Sequence, residues 1–133
     1  MGRINFSRLL KSPPRCYRGR KIYEQPRYMS IPTAVAQLIE TEENRQERVL
    51  NPDTTLAIAL SRVGGGVENE RIVAGTLREL LDYPAEGYGQ PLHSLVIVGK
   101  RLHHLEVDYA EEYAINRKSW RDTAKNVYEC ALD

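Results

Sequence analysis

Cysteine is almost absent: Cys16 and Cys130 are the only two, far apart and without a partner pattern. That excludes a disulfide framework and a cysteine-based zinc site, and it points to free thiols in a reducing, cytoplasmic setting. Long hydrophobic runs are also missing. No apolar stretch approaches the ~20 residues of a membrane helix. Phenylalanine and tryptophan occur once each, as Phe6 and Trp120, so tyrosine supplies eight of the aromatic rings. Acidic residues are wholly lacking from residues 1–23, which hold Arg3, Arg8, Lys11, Arg15, Arg18, Arg20 and Lys21. Residues 24–133 are left with 12 basic against 18 acidic side chains. The folded part is therefore acidic, and no basic face for nucleic acid is expected on it. P-loop, H-E-x-x-H and Ser/His/Asp patterns are missing too.

What is present suits one domain with a modest core, since 133 residues carry 41% hydrophobic and 28% charged side chains. Residues 1–17 read as a basic, disordered arm or, alternatively, as a mitochondrial presequence. The extended stretch from Arg18 to Ser30 could use its arginines and tyrosines to grip an anion, or lay them across the domain surface. Ser30 is a helix N-cap signal with Pro32 in the first turn, and Ile31, Val35, Leu38 and Ile39 recur at helical spacing. Thr55–Val63 predicts a strand covered on both faces. Gly64-Gly65-Gly66 could approach a phosphate, but it lacks the G-x-G-x-x-G spacing and reads better as a hairpin loop. Arg71–Gly75 is the antiparallel return strand. Thr76, with Glu79 three residues on, predicts a capping box opening a short helix from Leu77 to Leu81.

Leu95–Val98, an unbroken apolar run closed by Gly99, predicts a central strand buried on both faces. His93 stands at its mouth, either facing a cleft or satisfying a loop carbonyl. Leu102–Ala114 predicts a helix with Leu105, Tyr109 and Tyr113 on one side and Glu106, Asp108, Glu111 and Glu112 on the rest. Residues 115–133 read as a polar, loosely docked tail. Alternating helices and strands make this an α/β protein, a small mixed sheet flanked by helices. His103 and His104 are adjacent and so point apart, a poor metal pair. Composition and spacing assign no catalytic residue and no metal ligand.

Four blocks carry a resemblance. They are Gly19-Arg20-Lys21-Ile22-Tyr23-Glu24-x-Pro26-Arg27-Tyr28-Met29-Ser30-Ile31-Pro32, then Ala59-Leu60-Ser61-Arg62-Val63-Gly64, then Val73-Ala74-Gly75-Thr76-Leu77-Arg78-Glu79-Leu80, and Pro91-Leu92-His93-Ser94-Leu95-Val96-Ile97-Val98-Gly99. In this order they resemble the diphthine synthases, also called diphthine methyl ester synthases. The resemblance runs from Arg18 to Ala114, about three quarters of the chain.

The resemblance implies the tetrapyrrole-methylase-like methyltransferase fold, with residues 18–114 as its C-terminal α/β domain. It implies S-adenosylmethionine as cofactor and a modified histidine of elongation factor 2 as substrate, on the way to diphthamide. Carried over by block, Val63 and His93 are the cofactor-binding residues, at strand ends where α/β clefts take ligands. No nucleic acid, membrane or metal is implied. The family's first domain has no counterpart here, so the chain is expected to be a truncated enzyme, either inactive alone or completed by the missing N-terminal domain. An alternative from the same observation is a non-enzymatic fragment that binds a partner, or forms a homodimer, through the orphaned domain interface.

Overall fold

The computed structural model describes Glu24 and residues 26–131, together with the backbone of a short strand pair, β1 (Cys16–Tyr17) and β2 (Arg20–Lys21). The basic arm, the Cys16 thiol and the side chains of the Gly19–Tyr23 block lie outside the described residues.

Helix α1 (Ile31–Arg45) starts where the sequence signals it. The Ser30 hydroxyl accepts from the Thr33 amide, and Pro32 sits in the first turn, where its missing N–H costs nothing. Its buried stripe is Ile31 and Val35. Strand β3 (Leu56–Ser61) follows and pairs antiparallel with β4 (Arg71–Thr76), Leu56 opposite Thr76 and Ser61 opposite Arg71. Helix α2 (Leu77–Asp82) opens on a complete capping box. Thr76 Oγ1 accepts from the Glu79 amide, and the Glu79 carboxylate accepts from the Thr76 amide. Gly75 belongs to that device, since a Cβ there would stand 2.9 Å from Glu79 Oε2. A single 3-10 turn (Ala85–Tyr88) leads to strand β5 (His93–Ile97).

The sheet order is β4-β3-β5, so β3 is the central strand. Its side chains alternate between two layers, as pleating requires. Ala57 and Ala59 join Val73, Tyr88 and the α1 and α2 residues Ile31, Val35, Leu77 and Leu80 on one face. Leu56 and Ala74 join Val107, Ala110, Trp120 and Ala124 on the other. All three strands run antiparallel, so the sheet is antiparallel where a mixed one was expected; one isolated parallel bridge joins Ala74 to Ala114, which lies in no strand.

Three local expectations are corrected. The run Leu95–Val98 is not central: β5 pairs only with β3 among the described residues, and Val96 and Ile97 are 45% and 37% exposed. An apolar run reports what a strand is able to bury, not where it stands in the sheet. Helix α3 (His104–Glu111) turns Val107 and Ala110 inward and leaves Leu105 and Tyr109 exposed. Ala110 permits close approach, which a bulky ring at the contact would prevent. Finally, the expected polar tail contains helix α4 (Arg117–Asn126). Trp120 in it is fully buried and donates its indole N–H to the Val107 carbonyl at 3.1 Å. Tyr128 beyond it accepts the Leu56 amide at 2.9 Å. No helix among the described residues is long and apolar enough to cross a membrane.

Candidate functional site

The last residue of β3 and the first of β5 face each other, Ser61 opposite His93. This register brings Val63, two residues past Ser61, and His93 to the same end of the sheet, although 30 positions separate them. Both sequence-expected site residues thus converge on one rim. Val63 is 60% exposed there, and His93 is half-buried.

The loop before β5 is held from below by β3. Ser61, itself buried, donates its hydroxyl to the Gln90 carbonyl at 2.6 Å. Arg62 donates from Nε and Nη2 to the Pro91 carbonyl at 2.9 and 2.7 Å. Gly89 turns the chain at φ 74°, a left-handed conformation that costs glycine little. Its carbonyl lies 3.1 Å from His93 Nε2. A carbonyl only accepts, so this contact assigns the ring proton to Nε2. His93 Nδ1 is then an acceptor, buried and without a hydrogen-bond partner among the described residues. Of the two roles expected as alternatives, the structure gives the loop-carbonyl one to Nε2, while Nδ1 is left buried and unpaired.

Glycines 64–66 form the β3–β4 hairpin loop. The Gly64 amide donates to the Glu70 carboxylate at 2.8 Å, and the Gly65 amide to the Arg62 carbonyl at 2.9 Å. A phosphate would have to displace a carboxylate from the first of these, so this glycine run is a turn and no anion cradle. Arg71 braces the same loop, donating to the carbonyls of Val67, Glu68 and Glu70.

Two shallow clefts open at this end of the sheet. One, of about 310 Å³, is lined by polar and charged residues including Arg62, Glu68, Arg71 and Gln90. The other, of about 420 Å³, is lined by Tyr28, Arg62, Gln90, Pro91 and Leu92. Arg62 and Gln90 belong to both, while Val63 and His93 line neither. Sequence reasoning singled out neither Arg62 nor Gln90. Their role depends on a contact across 29 positions. No cluster of three or more His, Cys, Asp or Glu side chains suited to a metal occurs among the described residues. His103 and His104 do not point apart as expected: their rings lie 4.2 Å apart, and His103 Nδ1 accepts the Leu105 amide as an N-cap.

Comparison with known proteins now gives the rim a context. No family model matches the chain. Curated relatives do: it is 50% identical over 103 residues to the diphthine methyl ester synthase of Neurospora crassa, covering 77% of this chain and 34% of that protein. Against the Schizosaccharomyces pombe diphthine methyl ester synthase it is 44% identical over 112 residues, 84% of this chain and 38% of that protein. The fold agrees. A crystal structure of an Entamoeba histolytica protein assigned as a diphthine synthase superposes with a TM-score of 0.60 at 31% identity, covering 72% of this chain and 36% of that one.

The matching stretch is similar to about a third of a diphthine synthase.

A second diphthine synthase crystal structure gives a TM-score of 0.53 at 26% identity, over 72% of this chain and 34% of that one. The chain thus spans about a third of the length of the diphthine synthases it matches.

Proposed function

We propose that this chain supplies one wall of the S-adenosylmethionine site of a diphthine methyl ester synthase, with Val63 and His93 as the contacting residues. The acceptor substrate on this reading is the modified histidine of elongation factor 2, methylated in the cytoplasm on the way to diphthamide. The observation that carries it is the buried, unpartnered Nδ1 of His93 on the same rim as Val63. A buried acceptor left unpaired costs ~1–3 kcal/mol. S-adenosylmethionine offers hydroxyl and amino donors that would relieve that cost, so the residues fit the cofactor. Val63 would contribute an apolar side chain against it.

The sulfonium methyl of that cofactor is already electrophilic, so its transfer needs no protein nucleophile. The protein's task is then to hold donor and acceptor in line and to exclude water. His93, fixed through Nε2 by Gly89, orients the cofactor and leaves the chemistry to it.

A second reading is favoured by the exposed Val96 and Ile97 on β5: a non-enzymatic fragment that associates through this edge, as a homodimer or with another chain. Calorimetric titration with S-adenosylhomocysteine separates the two. It would be done on the full chain, alone and mixed with the part of the Neurospora crassa relative that this chain does not match. Binding tighter than ~100 μM, about −5.5 kcal/mol, is expected, and H93A should weaken it at least about tenfold. Absence of binding in both samples, with a stable dimer formed, would establish the second reading instead.

A further inference from the structure

We propose that Arg62 is a positioning residue of this site, setting where His93 stands by holding the backbone of the loop that carries it. The inference rests on the cofactor-site reading above. Arg62 lies between Ser61, the last residue of β3, and Val63. It touches the loop with its side chain and the hairpin with its backbone, since its own carbonyl accepts the Gly65 amide. Its φ of 50° is left-handed, a conformation that non-glycine residues enter only when the surroundings demand it. Here that conformation accompanies a side chain that reaches back across the rim rather than out to solvent.

The reach ends on one atom. Nε and Nη2 converge on the Pro91 carbonyl, a two-pronged grip that a planar guanidinium can make and an ammonium cannot. Ser61 holds the Gln90 carbonyl just before it. Two consecutive residues, the last of β3 and the one after it, therefore fix two consecutive carbonyls of the loop, one residue on from Gly89 and two before His93. Gly89 in turn holds Nε2 and so keeps the acceptor on Nδ1. Arg62 makes no ion pair among the described residues. Its charge is not spent on a carboxylate, and the carbonyl grip is what its polar head does. Because it lines both clefts, its removal would join them and release the loop together.

The test uses R62A and R62K in the full chain, with two readouts. The first is the ¹⁵N spectrum of the His93 imidazole, assigned by its loss in H93Q. Wild type should show one tautomer, protonated at Nε2, and both variants should show a mixture while the melting temperature stays within a few degrees. The second is S-adenosylhomocysteine affinity in the mixture described above. Both variants should lose roughly tenfold, the size of one charge-assisted hydrogen bond. R62K is decisive, because it keeps the charge and the stem but lacks the fork. An unchanged His93 spectrum in both variants would overturn the proposal, and so would wild-type affinity in R62K. Failure of wild type itself to bind would refute the cofactor reading alone, since the spectrum still reports whether Arg62 sets the His93 loop.

Discussion

Tyr88 donates its hydroxyl to the carbonyl of Leu80 across 2.6 Å, inside the core. The carbonyl has no helical alternative. Its partner one turn on would be Pro84, which has no N–H. The tyrosine therefore finishes α2 from outside the helix, and its ring meets Tyr83 edge-on at 5.2 Å. Y88F should cost ~1–3 kcal/mol, because it strands a buried acceptor.

The same contact gives stability a pH dependence. Burial, and secondly the neighbouring Tyr83, raise the Tyr88 hydroxyl above the ordinary tyrosine range. The fold thus favours the neutral form. Its contribution is whole below the unfolded value of about 10 and is lost as pH climbs through the higher folded value. Urea unfolding should show wild type losing stability above about pH 10, with a smaller alkaline loss in Y88F. Equal alkaline slopes in the two proteins would remove Tyr88 from the explanation.

Trp120 joins α3 to α4 and to the sheet. Truncation in W120A should destabilise by ~3–5 kcal/mol through the cavity it leaves. Chemical denaturation gives the number. A loss under ~1 kcal/mol would mean that α4 contributes little to the core.

The capping box offers a finer probe. T76A should cost about 1 kcal/mol and T76S much less, because the serine hydroxyl still accepts the Glu79 amide. G75A should cost a similar amount by a different route, displacing the Glu79 carboxylate that a new methyl would crowd. Thermal melts of the three variants order them; T76S as unstable as T76A would deny the hydroxyl its role.

Strand β5 exposes Val96 on a sheet edge that has no partner among the described residues. Such edges recruit other strands. Sedimentation should show wild type associating as concentration rises and V96K remaining smaller. Identical behaviour of the two would turn attention to Leu105 and Tyr109 on α3.

Much of this was legible in the sequence where one residue type has one local use. Ser30 with Pro32, and Thr76 with Glu79, mark helix starts because their side chains answer backbone amides three residues away. Leu56–Leu60 was legible as a strand covered on both faces, and it proves to be the central one. Leu95–Val98 carries the same signature and lies at the edge, since apolar runs carry no information about neighbours. Helix α4 escaped notice because its inner face is only Trp120 and Ala124 in an otherwise polar run. At the rim, His93 stood out as a strand-mouth histidine. The division of labour between its nitrogens, and the grip of Arg62 on Pro91, exist only once β3 and β5 are in register.

That register carries a parity. Side chains on a strand alternate faces, so shortening or lengthening the chain by one residue between the Arg62 grip and β5 would leave two poor choices. Either His93 turns to the opposite face, away from Val63, or Leu95 leaves the core it packs in. Changes of two residues escape the dilemma. The spacing from Pro91 to Leu95 should therefore tolerate substitution far better than it tolerates a change of length, and natural length variation should be confined to the Gly64–Glu70 hairpin on the other side of β3.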